Sequence, residues 1–143
     1  MPPEILFKIC NLLALSGWVA LLLSPLIPRL AQAHASLAIP LLFSVAYAGL
    51  VMAFWTNADG SFSPLADVMK LFTKPEVALA GWIHYLAFDL FVGAWEVRTA
   101  KADRVPFALV VPCLALTFMF GPAGFLAFVA IRAARRLATT SAT

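Results

Sequence analysis

Residues 80–98 read AGWIHYLAFDLFVGAWEVR. The stretch is apolar enough for a membrane-crossing helix, yet it holds His84, Tyr85, Asp89 and Glu96. A carboxylate at the centre of such a helix costs about 2.5–3.5 kcal/mol on insertion scales. At ~100° per residue, Tyr85, Asp89 and Glu96 fall within roughly 40° of one another. Val92 lies close to that stripe, and Trp82 and Gly93 flank it. His84 sits more than ~90° away, nearer Phe88, Phe91 and Trp95. Tyr85 and Asp89 are i,i+4 neighbours, so Tyr85 is a candidate donor to the carboxyl. Asn11, Ser16 and Ser44, on other apolar stretches, are further candidates. Asp89 is read as a functional group facing a helix bundle, with a hydrogen-bonded clamp between helices as the plainer alternative. For His84 a bridging and a functional role both stay open. Glu96, near the end of the stretch, is expected to be solvated.

The rest of the chain supports a membrane reading. Of 143 residues, 63% are hydrophobic and only 12% charged, with mean hydropathy +0.94. Soluble domains carry about 25% charged residues. The expected fold is all-α: one membrane domain over 1–143, with four transmembrane helices at about 5–23, 35–55, 76–95 and 106–131. Pro25 and Pro28 close the first. Ala31-Gln32-Ala33 resembles a signal-peptide cleavage site, but the apolar run exceeds the usual ~7–15 residues. Glu4 precedes that run and Arg29 follows it, so a retained span is expected. Pro40 falls near the start of the second span. Gly121-Pro122 should kink the fourth and free carbonyls near Thr117 and Phe118. Between spans two and three, Ser63 and Pro64 read as the start of a short amphipathic interfacial helix near 64–73. Leu65, Val68, Met69 and Phe72 form one face, and Asp67, Lys70 and Lys74 the other. It would connect or act as a lid. Thr73 and Glu76 have capping-box spacing before span three. Trp18, Trp55, Trp82 and Trp95 mostly fall near span ends, as an interfacial belt requires. The tail from about 137 to 143 is expected to fray.

Four spans would put both termini on one side with six basic residues, against four on the other. That favours cytoplasmic termini. The modest basic surplus implies no nucleic-acid partner. Cys10 and Cys113 lie in apolar stretches outside any paired motif, so neither a disulfide framework nor a zinc site is expected. No metal, nucleotide or serine-triad signature occurs.

The pattern Trp82-x-His84 followed by Asp89-Leu90-Phe91, then Phe120-x-Pro122-x-Gly124, resembles the abscisic-acid-deficient-four-like family. The LFTKPE stretch at 71–76 agrees, and the resemblance covers most of 40–132; the first span matches only in kind. Plant members are associated with neoxanthin synthesis in plastid membranes. The resemblance thus implies a carotenoid or other isoprenoid-lipid ligand, and isomerisation of a xanthophyll epoxide. Such a reaction needs an acid at the epoxide oxygen and a base for a carbon-bound proton, with no cofactor. Asp89, His84 and Tyr85 are the candidate catalytic residues, with Asp89 as acid and His84 as base, or the reverse. Trp82, Phe88 and Val92 would line the apolar part of the site. The alternative is a pigment-, quinone- or lipid-binding protein, or an accessory subunit with a membrane-protein partner or a second copy. With no transit-like Arg- and Ser-rich start, a bacterial cytoplasmic membrane is expected.

Overall fold

A computed structural model describes residues 2–140, all in helices and short connections. Helix α1 spans Pro3–Leu22, α2 Pro28–Phe54 and α4 Pro75–Ala102; these three are long and apolar enough to cross a membrane. The short α3 is Leu65–Leu71. Two further helices follow, α5 at Phe107–Phe120 and α6 at Pro122–Thr140.

Helix α4 is the axis around which the others pack. Helix α1 runs parallel to it: Phe7 packs on Trp82 near one end, and Trp18 meets Gly93 further along. Helix α2 runs the opposite way, with Gln32 bonded to the Ala94 carbonyl and Tyr47 packed on His84. It starts earlier than expected, at Pro28, so Pro40 lies well inside it. The turn before Pro40 widens to π-helix over Ala33–Ala38. This is the usual way a helix absorbs a proline ring without ending. Leu21, Ile83, Leu90 and Ala94 are fully buried in the seam between these helices.

The fourth apolar stretch does not form the expected single span. It folds into two helices joined at Gly121, where φ is +41°. Helix α6 turns back along α5: a Cβ on Gly124 would lie 2.6 Å from the Cys113 carbonyl oxygen and 2.0 Å from the Thr117 hydroxyl. Residues eleven apart cannot approach so closely in a continuous helix, which rises ~1.5 Å per residue. The base of the hairpin closes on itself as well. Asp103, just after α4, accepts from Arg132 Nε, and from Arg136 Nη2 at 3.0 and 3.1 Å. Helix α5, at 14 residues, is about 21 Å long, short of the ~30 Å hydrocarbon core.

The hairpin changes the expected topology. Helix α6 ends beside Asp103, at the opposite end of α4 from Pro3, so the two ends of the described chain do not share a face. Three smaller expectations also need correction. Ser63 does not cap α3; Pro64 holds the N-cap position, and the helix is shorter than 64–73. No capping box forms at Thr73 and Glu76, because Lys74 is the N-cap of α4 and the Thr73 hydroxyl bonds the Lys70 carbonyl. Trp18 is buried, not interfacial, and Trp95 packs on Phe125 and Phe128 of α6. The expected frayed tail is helical as far as Thr140, and 141–143 lie outside the described residues.

Two measurements test the hairpin. Gly124→Ala should destabilise the protein by about 1–3 kcal/mol, because the new methyl group overlaps backbone and the Thr117 hydroxyl. Gly49→Ala, where nothing lies within 4 Å, should be neutral or gain up to ~1 kcal/mol. Equal thermal shifts for the two would contradict the fold-back. The second measurement concerns acid. The two guanidinium groups hold the Asp103 carboxyl below its usual range. The folded value thus lies below the unfolded ~3.9. The pairing therefore stabilises the hairpin fully above that pH and is lost as pH falls through the lower folded value. Asp103→Asn should be less stable at neutral pH and should lose this acid transition.

Candidate functional site

Proline at 122 has no N–H, so the Phe118 carbonyl four residues back loses its helical donor. Tyr85 supplies one: its hydroxyl donates to the Phe118 oxygen at 3.1 Å. The expected freed carbonyl is thus present and is capped from α4. Its neighbour, the Thr117 carbonyl, is taken by the Gly121 N–H at 2.9 Å.

One turn along α4, Asp89 faces the same corner. A Cβ at Gly121 would come within 2.7 Å of Asp89 Oδ1. Glycine is therefore required twice over at 121, for its positive φ and for the space the carboxyl occupies. Tyr85 lies beside the Asp89 carboxyl. Asp89 Oδ2 is nevertheless buried without a hydrogen-bond partner. The donors expected from other helices are engaged elsewhere: Asn11 with Phe7 and Trp82, Ser16 with Leu13 and His34, Ser44 with Pro40.

Glu96 is the largest departure from expectation. It is fully buried rather than solvated. Its Oε1 accepts from the Thr117 hydroxyl at 2.9 Å, and its Oε2 has no partner. Among the described residues, Asp89 Oδ2 and Glu96 Oε2 are the buried side-chain atoms left unsatisfied. The two carboxyls are seven residues apart, about 10 Å along the helix. They stand on one stripe, Asp89 at the hairpin tip and Glu96 deeper against α5. Each keeps an oxygen that can accept or deliver a proton.

His84 is not part of this cluster. It is exposed on the far side of α4, stacked on Phe88 with ring centroids 4.6 Å apart. It lines an apolar cavity of about 300 Å³ with Tyr47, Trp55, Phe62, Val68 and Phe72, which Asp89 does not line. Val68 and Phe72, from α3 and its end, form part of that wall, while Leu65 and Met69 stay exposed. Phe88 borders another shallow cavity, beside Pro40 and Ser44 of α2. Trp82 donates to Asn11 Oδ1 at 3.2 Å and packs on Tyr85, and Val92 is half-buried. The structure therefore brings Trp82, Tyr85 and Asp89 together and sets His84 and Phe88 apart from them.

Thr117, Gly121 and Gly124 were not singled out as site residues from the sequence. The signal lies in the glycines near Pro122, which from sequence alone are equally compatible with a kink. The i,i+7 relation of Asp89 and Glu96 likewise marked Glu96 as a partner on the same stripe.

Long apolar helices define an α-helical membrane protein, in which a buried Glu96 and a half-buried Asp89 dock against a folded-back hairpin. The family model ABA DEFICIENT 4-like matches residues 5–128, and the chain belongs to that family. The match includes α1, which had resembled the family only in kind. No curated protein and no solved structure matches the chain. Family and apolar helices together fit a membrane protein related to neoxanthin synthase.

The capping bonds are directly testable. Tyr85→Phe leaves the Phe118 carbonyl unpaired, and Thr117→Val leaves Glu96 buried with no donor. Each should cost about 1–3 kcal/mol in thermal or denaturant unfolding. The Thr117→Val loss should largely vanish in a Glu96→Leu background, where no side-chain acceptor remains to be satisfied. An unchanged loss there would remove the Thr117–Glu96 bond from the account.

Proposed function

We propose that the protein is a membrane-embedded isomerase acting on an epoxide-bearing carotenoid or related isoprenoid lipid, with Asp89 as its proton-transfer group. The observation that carries this reading is the Asp89 carboxyl, held at the hairpin tip midway along α4 with Oδ2 unengaged. Epoxide-to-allene isomerisation opens one C–O bond towards oxygen and turns a vinylic C–H pair into a new π bond. The epoxide oxygen gains a proton and the carbon loses one, so no electrons or cofactor are consumed. One carboxyl can perform both transfers, giving a proton from one oxygen and taking one with the other. This assignment is favoured over an Asp89–His84 pair because His84 opens into a cavity that Asp89 does not line. Tyr85 acts as a positioning residue, tying the hairpin tip to α4. Trp82 and exposed Phe118, at 42%, offer apolar contact beside it.

We further propose that α1, α2 and α4 cross a bacterial cytoplasmic membrane while α5 and α6 enter and return, with α3 lying in the interface. Non-helical backbone at membrane depth is tolerated where protein buries it, and α4 does so here. With this topology, seven of the ten basic residues (Arg29, Arg98, Lys101, Arg104, Arg132, Arg135, Arg136) lie at the hairpin base, and three (Lys8, Lys70, Lys74) at the opposite end. The hairpin base and C-terminal helix end would then face the cytoplasm and the N-terminus the other side.

The activity test uses a host supplied with epoxy-carotenoids and reads pigments by absorption and mass. Wild type should convert substrate. Asp89→Asn should lower turnover by at least ~10²-fold with folded protein retained, and His84→Gln should keep most of it. Full activity in Asp89→Asn would sink the assignment. Pigment bound but unconverted by wild type would favour a binding protein. Neither binding nor conversion would favour an accessory subunit. Reporter fusions at each terminus should give opposite sides of the membrane; the same side would refute the re-entrant arrangement.

A further inference from the structure

A cavity of about 880 Å³ lies far from Asp89 at the other end of the hairpin. Its wall comes from the α1–α2 turn, the last turns of α4 and the start of α5. Four cations line it: Arg29, Arg98, Lys101 and Arg104. No carboxylate does. The acid next in sequence, Asp103, is already engaged by Arg132 and Arg136. Arg98 donates to Gln32 Oε1 at 3.3 Å, a neutral partner that leaves its charge uncompensated. The other wall is apolar, with Pro25 and Phe107 among its residues.

Arg98, Lys101 and Arg104 follow one another within the stretch 98–104, and Arg29 joins them from the start of α2, so local sequence does not explain the full set. Some of their charge suits the C-terminal end of α4. That does not account for Arg29, at the opposite-running start of α2, or for Arg104 beyond the helix. Like charges gathered around one cavity repel, and an anion seated among them relieves the repulsion. Guanidinium groups bind phosphate oxygens in bidentate fashion, with lysine adding a point charge. The apolar wall is suited to the first segments of an acyl or prenyl chain. Basic pockets between membrane helices recognise anionic headgroups in this way.

We propose that this cavity is a binding site for a phosphate-bearing ligand, held by Arg29, Arg98, Lys101 and Arg104 and separate from the carboxyl cluster at the hairpin tip. The probes are phosphatidylglycerol, phosphatidylcholine with the same chains, and inorganic phosphate. Each is titrated into the purified full chain in neutral detergent, with bound lipid counted by native mass spectrometry. Wild type should bind phosphatidylglycerol saturably and phosphatidylcholine at least ~10-fold more weakly. Replacing both Arg29 and Lys101 by Gln should weaken phosphatidylglycerol binding roughly 30-fold. The same change at Lys70 and Lys74, remote from the cavity, should not. If the first double variant fails to fold, Lys101→Gln alone is read, with a smaller loss expected. Displacement of the lipid by millimolar inorganic phosphate would identify a soluble phosphate compound as the source. Resistance to displacement would identify a lipid headgroup. Equal binding of the two lipids by wild type with no effect of phosphate would overturn the site, as would unchanged phosphatidylglycerol binding in the cavity variant.

Discussion

A single missing hydrogen organises the C-terminal half of the molecule. Pro122 cannot donate to Phe118, and Gly121 can take the positive φ that reverses the chain. Once reversed, the tip carries a carbonyl that lipid cannot satisfy. The Tyr85 hydroxyl satisfies it from α4. That bond brings the corner against the stripe that bears Asp89, and the close approach of Gly124 to Thr117 carries the contact on towards Glu96. The hairpin and the polar face of α4 therefore depend on each other: the corner needs a donor, and the carboxyls need shelter from lipid.

Shelter alone does not explain two carboxyls. At about 2.5–3.5 kcal/mol apiece, Asp89 and Glu96 are an expense that an apolar pair of similar size would avoid. A purely structural clamp would use both oxygens of each. Here one oxygen of each is left without a partner. Thr117 meets half the need of Glu96, and the Tyr85 hydroxyl beside Asp89 gives its proton to the Phe118 carbonyl. An unsatisfied buried acceptor is a cost that packing alone does not explain. Asp89 is half-buried at the tip, whereas Glu96 is fully buried behind it.

Much of the fold was legible because hydropathy and helical period act locally. The membrane class, three long helices, the polar stripe on α4 and the orphaned Phe118 carbonyl all followed from residue type and spacing. The hairpin was not legible in the same way. Gly121-Pro122 is compatible with a kink or a reversal, and the choice rests on contacts with Asp89, Thr117 and Cys113 that lie far away in sequence. A fourth span would put the termini together and Arg132 and Arg136 at the same end as Lys8, whereas they meet Asp103 at the other end of α4. Glu96 was misjudged for a related reason. Its position near the end of an expected 20-residue span suggested water, whereas α4 continues to Ala102 and α5 covers it. His84 and Asp89 fall on different faces of the wheel yet are expected to share one site; the structure keeps them apart, with His84 in a cavity that Asp89 does not line.

Reversal of the chain also bears on the charges at its base. Folding α6 back delivers Arg132 and Arg136 to Asp103, the acid that follows α4. Without that delivery, Asp103 would be available to the neighbouring Lys101 and Arg104. With it, the cavity side keeps four cations and gains no acid. The same fold-back therefore shapes both ends of the hairpin, leaving acceptors unpaired at the tip and cations uncompensated beside the base. These are opposite electrostatic demands, and α4 holds them about 20 Å apart, the rise from Asp89 to Asp103.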